Sequence, residues 1–169
     1  RMADFLVGAR RIVWISRGPA LAAALDCALK VQECAGIPGS AWSAAEFLHG
    51  PIAAIGEDDR VVLLADTAQP AVSLQAVSTH LLTRNAPFLV VRPQADDRSS
   101  GEGIELPMPD ERWARTAVVA LLGHSSALEL AQRRGINPDA PAWSQQSDAH
   151  VRRTPCIRSR ADARTSSVT

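Results

Sequence analysis

Residues 11–36 read RIVWISRGPALAAALDCALKVQECAG. Arg11 to Ser16 is a short apolar run of branched and aromatic side chains, the composition of a buried strand. Arg17, Gly18 and Pro19 supply a turn, and Pro19 suits the first turn of a helix. That helix is expected to run to about Ala35, with Gly36 as its left-handed stop. An i, i+4, i+7 spacing puts Asp26, Lys30 and Glu33 on one helix face. Leu21, Leu25, Ala28 and Leu29 supply an apolar stripe expected to dock the helix on a core. Lys30 is the only lysine in the chain.

The pattern continues on both sides. Arg1 to Arg10 reads as the end of a helix, with Met2, Phe5, Leu6 and Ala9 at helical spacing. Downstream, Ser43 followed by Glu46 forms a capping box that opens a short helix. Gly50 and Pro51 close it and leave His49 at its C-terminal end, where the last carbonyls favour a protonated imidazole. Val61 to Ala65 reads as a second strand, followed by a loop over Thr67 to Pro70 and a helix through about Thr83. Phe88 to Val91 is a third strand and Ile104 to Leu106 a short fourth near an edge. Asp110 is expected to cap a long helix to Arg134, stopped by Gly135. Strands alternating with helices of this length imply parallel pairing and right-handed crossovers, an open α/β sandwich. From Ser144 no helical or strand period is sustained, and a disordered tail is expected.

Composition sets outer limits. The chain has 169 residues, 46% of them hydrophobic, which allows one domain with its own core. No apolar run approaches the roughly 20 residues of a membrane span and no secretory leader is evident, so a cytoplasmic soluble globule is expected. Cys27, Cys34 and Cys156 form neither a disulfide framework nor, with the histidines, a zinc-site spacing; buried free thiols are expected, and no metal. The formal net charge is zero, against a general attraction to nucleic acid or anionic membrane. Arg152, Arg153, Arg158, Arg160 and Arg164 crowd the tail, but without aromatic interleaving, and nucleic acid is not the expected partner.

Glu33, Lys30 and His49 match the three roles of a sugar phosphate isomerase. A carboxylate moves the carbon proton, a cation stabilises the developing oxyanion, and a protonated imidazole assists ring opening. Taken singly, Lys30 and Glu33 are also an ordinary helix surface pair, and His49 an ordinary helix-end residue. His80 and His124 read as packing or surface residues. Trp14, Trp42 and Trp113 read as core or interface anchors, and the loop after Ala65 lacks a glycine-rich phosphate cradle.

The run ALDCALKVQE followed by SAAEFLHGP, with ISRGP before and GINPDAP after, resembles the second sugar isomerase (SIS) domain of glucosamine-6-phosphate synthase and of related two-domain amino-sugar phosphate isomerases and deaminases. The resemblance covers roughly Met2 to Pro141 and implies a flavodoxin-like fold, a parallel five-stranded sheet flanked by helices in three layers. It implies that Glu33 moves a proton between C1 and C2 and that Lys30 lies in the same site. It also implies that His49 assists ring opening across a homodimer interface, and that Asp26 stands where the family often has Glu, as a substrate-binding residue. The implied ligand is a hexosamine 6-phosphate, handled without metal or nucleotide cofactor; the alternative is a non-catalytic sugar-phosphate-binding regulatory module.

The chain departs from that family pattern in three places. The family's phosphate-binding loop belongs to a preceding SIS domain, so residues 1–10 are expected to be the end of a helix leading from it and residues 11–143 the SIS domain. Pro38, Gly39 and Ser40 replace the family's frequent His-Ala-Glu. The terminal family lysine is absent, since Pro141 is followed by Ala142, Trp143, Ser144 and Gln145. A one-base frame shift across the codons for 144–151 is expected to account for that loss and for the arginine-rich 144–169 tail, and the nucleotide sequence tests it.

Overall fold

The computed structural model describes residues 1–67, 72–94 and 103–140. The expected tail from Ser144, its frame shift, Cys156 and most of the loop after Thr67 fall outside these residues. Five strands form one parallel sheet in the order β2-β1-β3-β4-β5. They are β1 (Arg11–Ser16), β2 (Gly39–Ser43), β3 (Asp59–Leu64), β4 (Phe88–Pro93) and β5 (Ile104–Leu106). The helices are α1 (Met2–Leu6), α2 (Ala20–Ala35), α3 (Ala44–Leu48), α4 (Val72–Thr83) and α5 (Arg112–Arg133), with a 3-10 turn at Pro51–Ala54. This is the flavodoxin-like order of a doubly wound sheet.

Strand alternation divides the core in two. Ile12, Trp14, Val62 and Leu64 face α1, α2 and α5, where Leu6, Ala24, Cys27, Val31 and Leu130 are buried. Val13, Ile15, Val61 and Leu63 point to the opposite face, against Phe47 of α3, Ile52, and Leu74, Val77 and Leu81 of α4. A strand covered on both faces must be apolar at every position, which is why β1 and β3 stand out in the sequence.

Only four strands are expected from local pattern, and β2 is the fifth. Its residues, GSAWS, carry little β-propensity. It is a strand through its partner, paired in register from Ile12 with Gly39 to Ser16 with Ser43. Gly39 is required by packing rather than by a turn: a Cβ there would lie 2.4 Å from the Ala28 carbonyl oxygen of α2.

Helix ends follow the expected chemistry with two corrections. Gly36 stops α2 at φ 63°. Ser43 caps α3 by accepting from the Glu46 amide at 3.3 Å, but the Ser43 hydroxyl donates to the Glu46 carboxylate at 2.7 Å, so the reciprocal bond of the box goes to the hydroxyl. Asp110 does not cap α5: Glu111 takes the N-cap position without a side-chain bond. A third correction concerns the face on which α2 docks. Its buried face is Ala20, Ala23, Ala24, Cys27, Ala28, Val31 and Ala35, while Leu25 and Leu29 are exposed at 56% and 47%. Small residues face inward because α5 comes close. A Cβ on Gly123 would sit 2.1 Å from the Cys27 Sγ, leaving no room for leucine on that side.

The N-terminal end of β3, the central strand, is closed by Asp59, whose side chain is fully buried. It accepts from Arg11 at 2.7 Å, from Arg10 at 3.2 Å and from the Gly56 amide at 2.9 Å. Burial alone would raise its pKa. The Arg11 and Gly56 hydrogen bonds and the two arginine charges outweigh it and hold the carboxyl below the ordinary aspartate range.

Candidate functional site

Helix α2 presents the polar strip read from its spacing. The Lys30 Nζ donates to the Glu33 Oε2 at 2.7 Å, and the two side chains are 31% and 37% exposed. Helix docking fixes the backbone beneath them, while their tips remain within reach of solvent. The Glu33 hydrogen bond holds the Lys30 ammonium above the ordinary lysine range; desolvation opposes this, and the charges of Glu33 and Asp26 and the neighbouring Cys34 reinforce it. A carboxylate and an ammonium in contact, half open to solvent, can take up a proton and stabilise a nearby oxyanion.

Asp26 is not joined to Lys30 by a hydrogen bond. Its carboxylate meets the His124 Nε2 of α5 at 2.5 Å. His124, expected as a packing or surface residue, is a surface residue with a specific partner. Nothing local in the sequence signals this, because the two residues are brought together by the α2 and α5 contact at Cys27 and Gly123, each the immediate neighbour of one of them. Burial, with the Asp26 charge beside it, pushes the Cys27 thiol up to about 12, so this cysteine packs rather than reacts. Cys34 is half-buried and also free.

His49 lies elsewhere. It is the exposed C-cap residue of α3, its amide donating to the Glu46 carbonyl at 3.0 Å. Helix α2 covers one face of the sheet, whereas α3 packs through Phe47 on the other. Glu33 and His49 therefore stand on helices that cover opposite faces of the sheet. His80 is exposed on α4 and Trp113 is 76% exposed, whereas Trp14 is wholly buried and Trp42 is 38% exposed.

At the opposite end of the sheet, Asp66 after β3 accepts from Arg112 at 2.6 Å, and its carbonyl accepts from Arg115 at 3.0 Å. Among the described residues, no group of three or more His, Cys, Asp or Glu side chains is placed to hold a metal ion. No described helix is long and apolar enough to cross a membrane.

Comparison with known proteins gives a consistent result. A family model described as SIS domain matches residues 5–122. The glutamine–fructose-6-phosphate aminotransferase (isomerizing) of Aeropyrum pernix is 34% identical over 147 residues, which is 82% of this chain and 23% of that protein. The Thermotoga maritima protein of the same name is 27% identical over 135 residues, 78% of this chain and 22% of its own length. The chain thus spans less than a quarter of either relative. Among solved structures, the C-terminal domain of glucosamine-fructose-6-phosphate aminotransferase from Francisella tularensis superposes with a TM-score of 0.69 at 16% identity, covering 80% of this chain and 39% of that one. Glucosamine-6-phosphate deaminase from Thermotoga maritima gives 0.61 at 20% identity, covering 83% and 44%.

Proposed function

The chain belongs to the SIS domain family, and from that premise we propose that the exposed strip of α2 is the proton-transfer half of a site acting on a hexosamine 6-phosphate. The Lys30 to Glu33 contact of 2.7 Å carries this reading. Glu33 takes the C2 proton of the open-chain sugar; the C–H electron pair becomes the C1–C2 double bond and the carbonyl pair moves onto O1. Lys30 stabilises the oxygen that gains charge. Return of the proton to C1, with the nitrogen lone pair closing a C2–N double bond and one N–H proton passing to O1, leaves a 2-imino sugar, the common point for isomerisation and deamination. Asp26 accepts a substrate hydroxyl, and His49 of a second copy assists ring opening. The placement of α2 and α3 on opposite faces of the sheet supports a homodimeric site.

The test follows the C2 proton of glucosamine 6-phosphate in deuterium oxide by NMR. Wild-type protein exchanges the proton, and Glu33→Gln lowers the rate by about 100-fold or more, the usual weight of a positioned general base. Equal rates in the two proteins overturn the assignment. Sugar-phosphate-dependent shifts in the protein spectrum without exchange would point instead to a regulatory binding module.

A further inference from the structure

Asp26 stands four residues before Lys30. That is the favourable order for a helical carboxylate and lysine pair, and the Asp26 charge already acts on the Lys30 ammonium. In the structure this pair does not close, because His124 of α5 draws the Asp26 carboxylate to itself at 2.5 Å. Lys30 is left to Glu33. The result is a strip of two adjacent pairs, His124 with Asp26 and Lys30 with Glu33, rather than one lysine shared between two carboxylates. The groups acting on Lys30 are Glu33, Asp26 and Cys34, all on α2; His124 reaches it only through Asp26.

We propose that His124 is a positioning residue of this site, which holds the Asp26 carboxylate away from Lys30 and so keeps one carboxylate for the lysine and one for the substrate. The substrate part of the claim rests on the function proposed above, and the positional part does not. Without His124, the Asp26 side chain is free to swing toward Lys30. The lysine is then bracketed by two carboxylates, and the hydroxyl acceptor is lost from the substrate face. His124 is 43% exposed on its side chain, so its replacement opens no cavity in the core.

Lys30 is the sole lysine, so labelling the protein with lysine carrying carbon-13 at Cε gives one side-chain signal whose pH titration reports this ammonium directly. In His124→Ala the Lys30 midpoint moves up from the wild-type value, because a second carboxylate joins the first. In His124→Gln, which can still donate to Asp26, it stays at the wild-type value. An unchanged midpoint in His124→Ala, or a Gln variant that behaves like the Ala variant, overturns the proposal. Adding glucosamine 6-phosphate to the same samples tests the substrate part: the concentration that half-shifts the Lys30 signal rises about tenfold in His124→Ala, the weight of one charge-assisted hydrogen bond, and returns in His124→Gln. If the sugar phosphate moves the signal in no protein, the proposed function fails, while the titration still decides the positional claim.

Discussion

The molecule contains two clusters of ionic side chains that resemble one another in composition and differ in placement. At the N-terminal end of the central strand β3, Asp59 is sealed and holds three donors, from Arg10, Arg11 and Gly56. On α2, Lys30 and Glu33 are each about one-third exposed and hold one another. A sealed carboxylate whose lone pairs are taken cannot meet a ligand, but its loss leaves two arginines facing a void. A half-open pair contributes little to the fold and keeps its reactive atoms within reach. Ion pairs of the same type thus separate into one that supports the fold and one suited to chemistry.

Breaking the sealed cluster should give the largest change in stability. Asp59→Asn is expected to lower the unfolding free energy by about 2–3 kcal/mol in urea titrations. That is less than the roughly 3–5 kcal/mol of a fully sealed pair, because Arg10 is 65% and Arg11 30% exposed and both can rehydrate. The pH dependence follows from the direction of the Asp59 shift. Its folded pKa lies below the value of about 3.9 for an unfolded aspartate. The contribution is complete above that value and is lost as the pH falls through the folded pKa. The stability gap between wild type and Asp59→Asn should therefore be constant near neutrality and close below about pH 4. A gap that widens with acid would show that Asp59 is not the group responsible.

The helix contact that makes the open strip possible ranks next. Gly123→Ala places a Cβ 2.1 Å from the Cys27 Sγ, an overlap costing about 1–3 kcal/mol against the roughly 1 kcal/mol that alanine gains over glycine in a helix. A net loss of about 1 kcal/mol is expected. In the double variant with Cys27→Ala the two changes should be non-additive by a similar amount, because the thiol that clashes has been removed. Additive losses would place the strain of Gly123→Ala elsewhere.

These two regions also mark what the sequence could disclose. Local chemistry made β1, α2, the Gly36 stop and the Ser43 cap legible, since each is settled within a few residues. The strand β2 was not, because Gly39 to Ser43 becomes a strand only by pairing with β1. The buried face of α2 is not legible for a related reason. Leucines usually mark the docked side, but here the approach of Gly123 selects alanine and cysteine. Lys30 and Glu33 were legible as neighbours on one helix. Asp26 with His124, and Asp59 with Arg10 and Arg11, join residues 98, 49 and 48 positions apart, and no local pattern encodes such pairs.

The smallest stability change is expected where the chemical effect is greatest. Removing the Lys30 and Glu33 pair, by Glu33→Gln or Lys30→Met, should cost only a few tenths of a kcal/mol in the same urea titration, the usual weight of an exposed helical pair. Glu33→Gln is the variant expected to slow C2 proton exchange about 100-fold or more. Asp59→Asn should show the reverse, a large stability loss with the exchange rate of the folded fraction preserved. If Glu33→Gln destabilises the chain as much as Asp59→Asn does, the strip on α2 is a structural ion pair like the one at the start of β3. The distinction between the two clusters would then disappear.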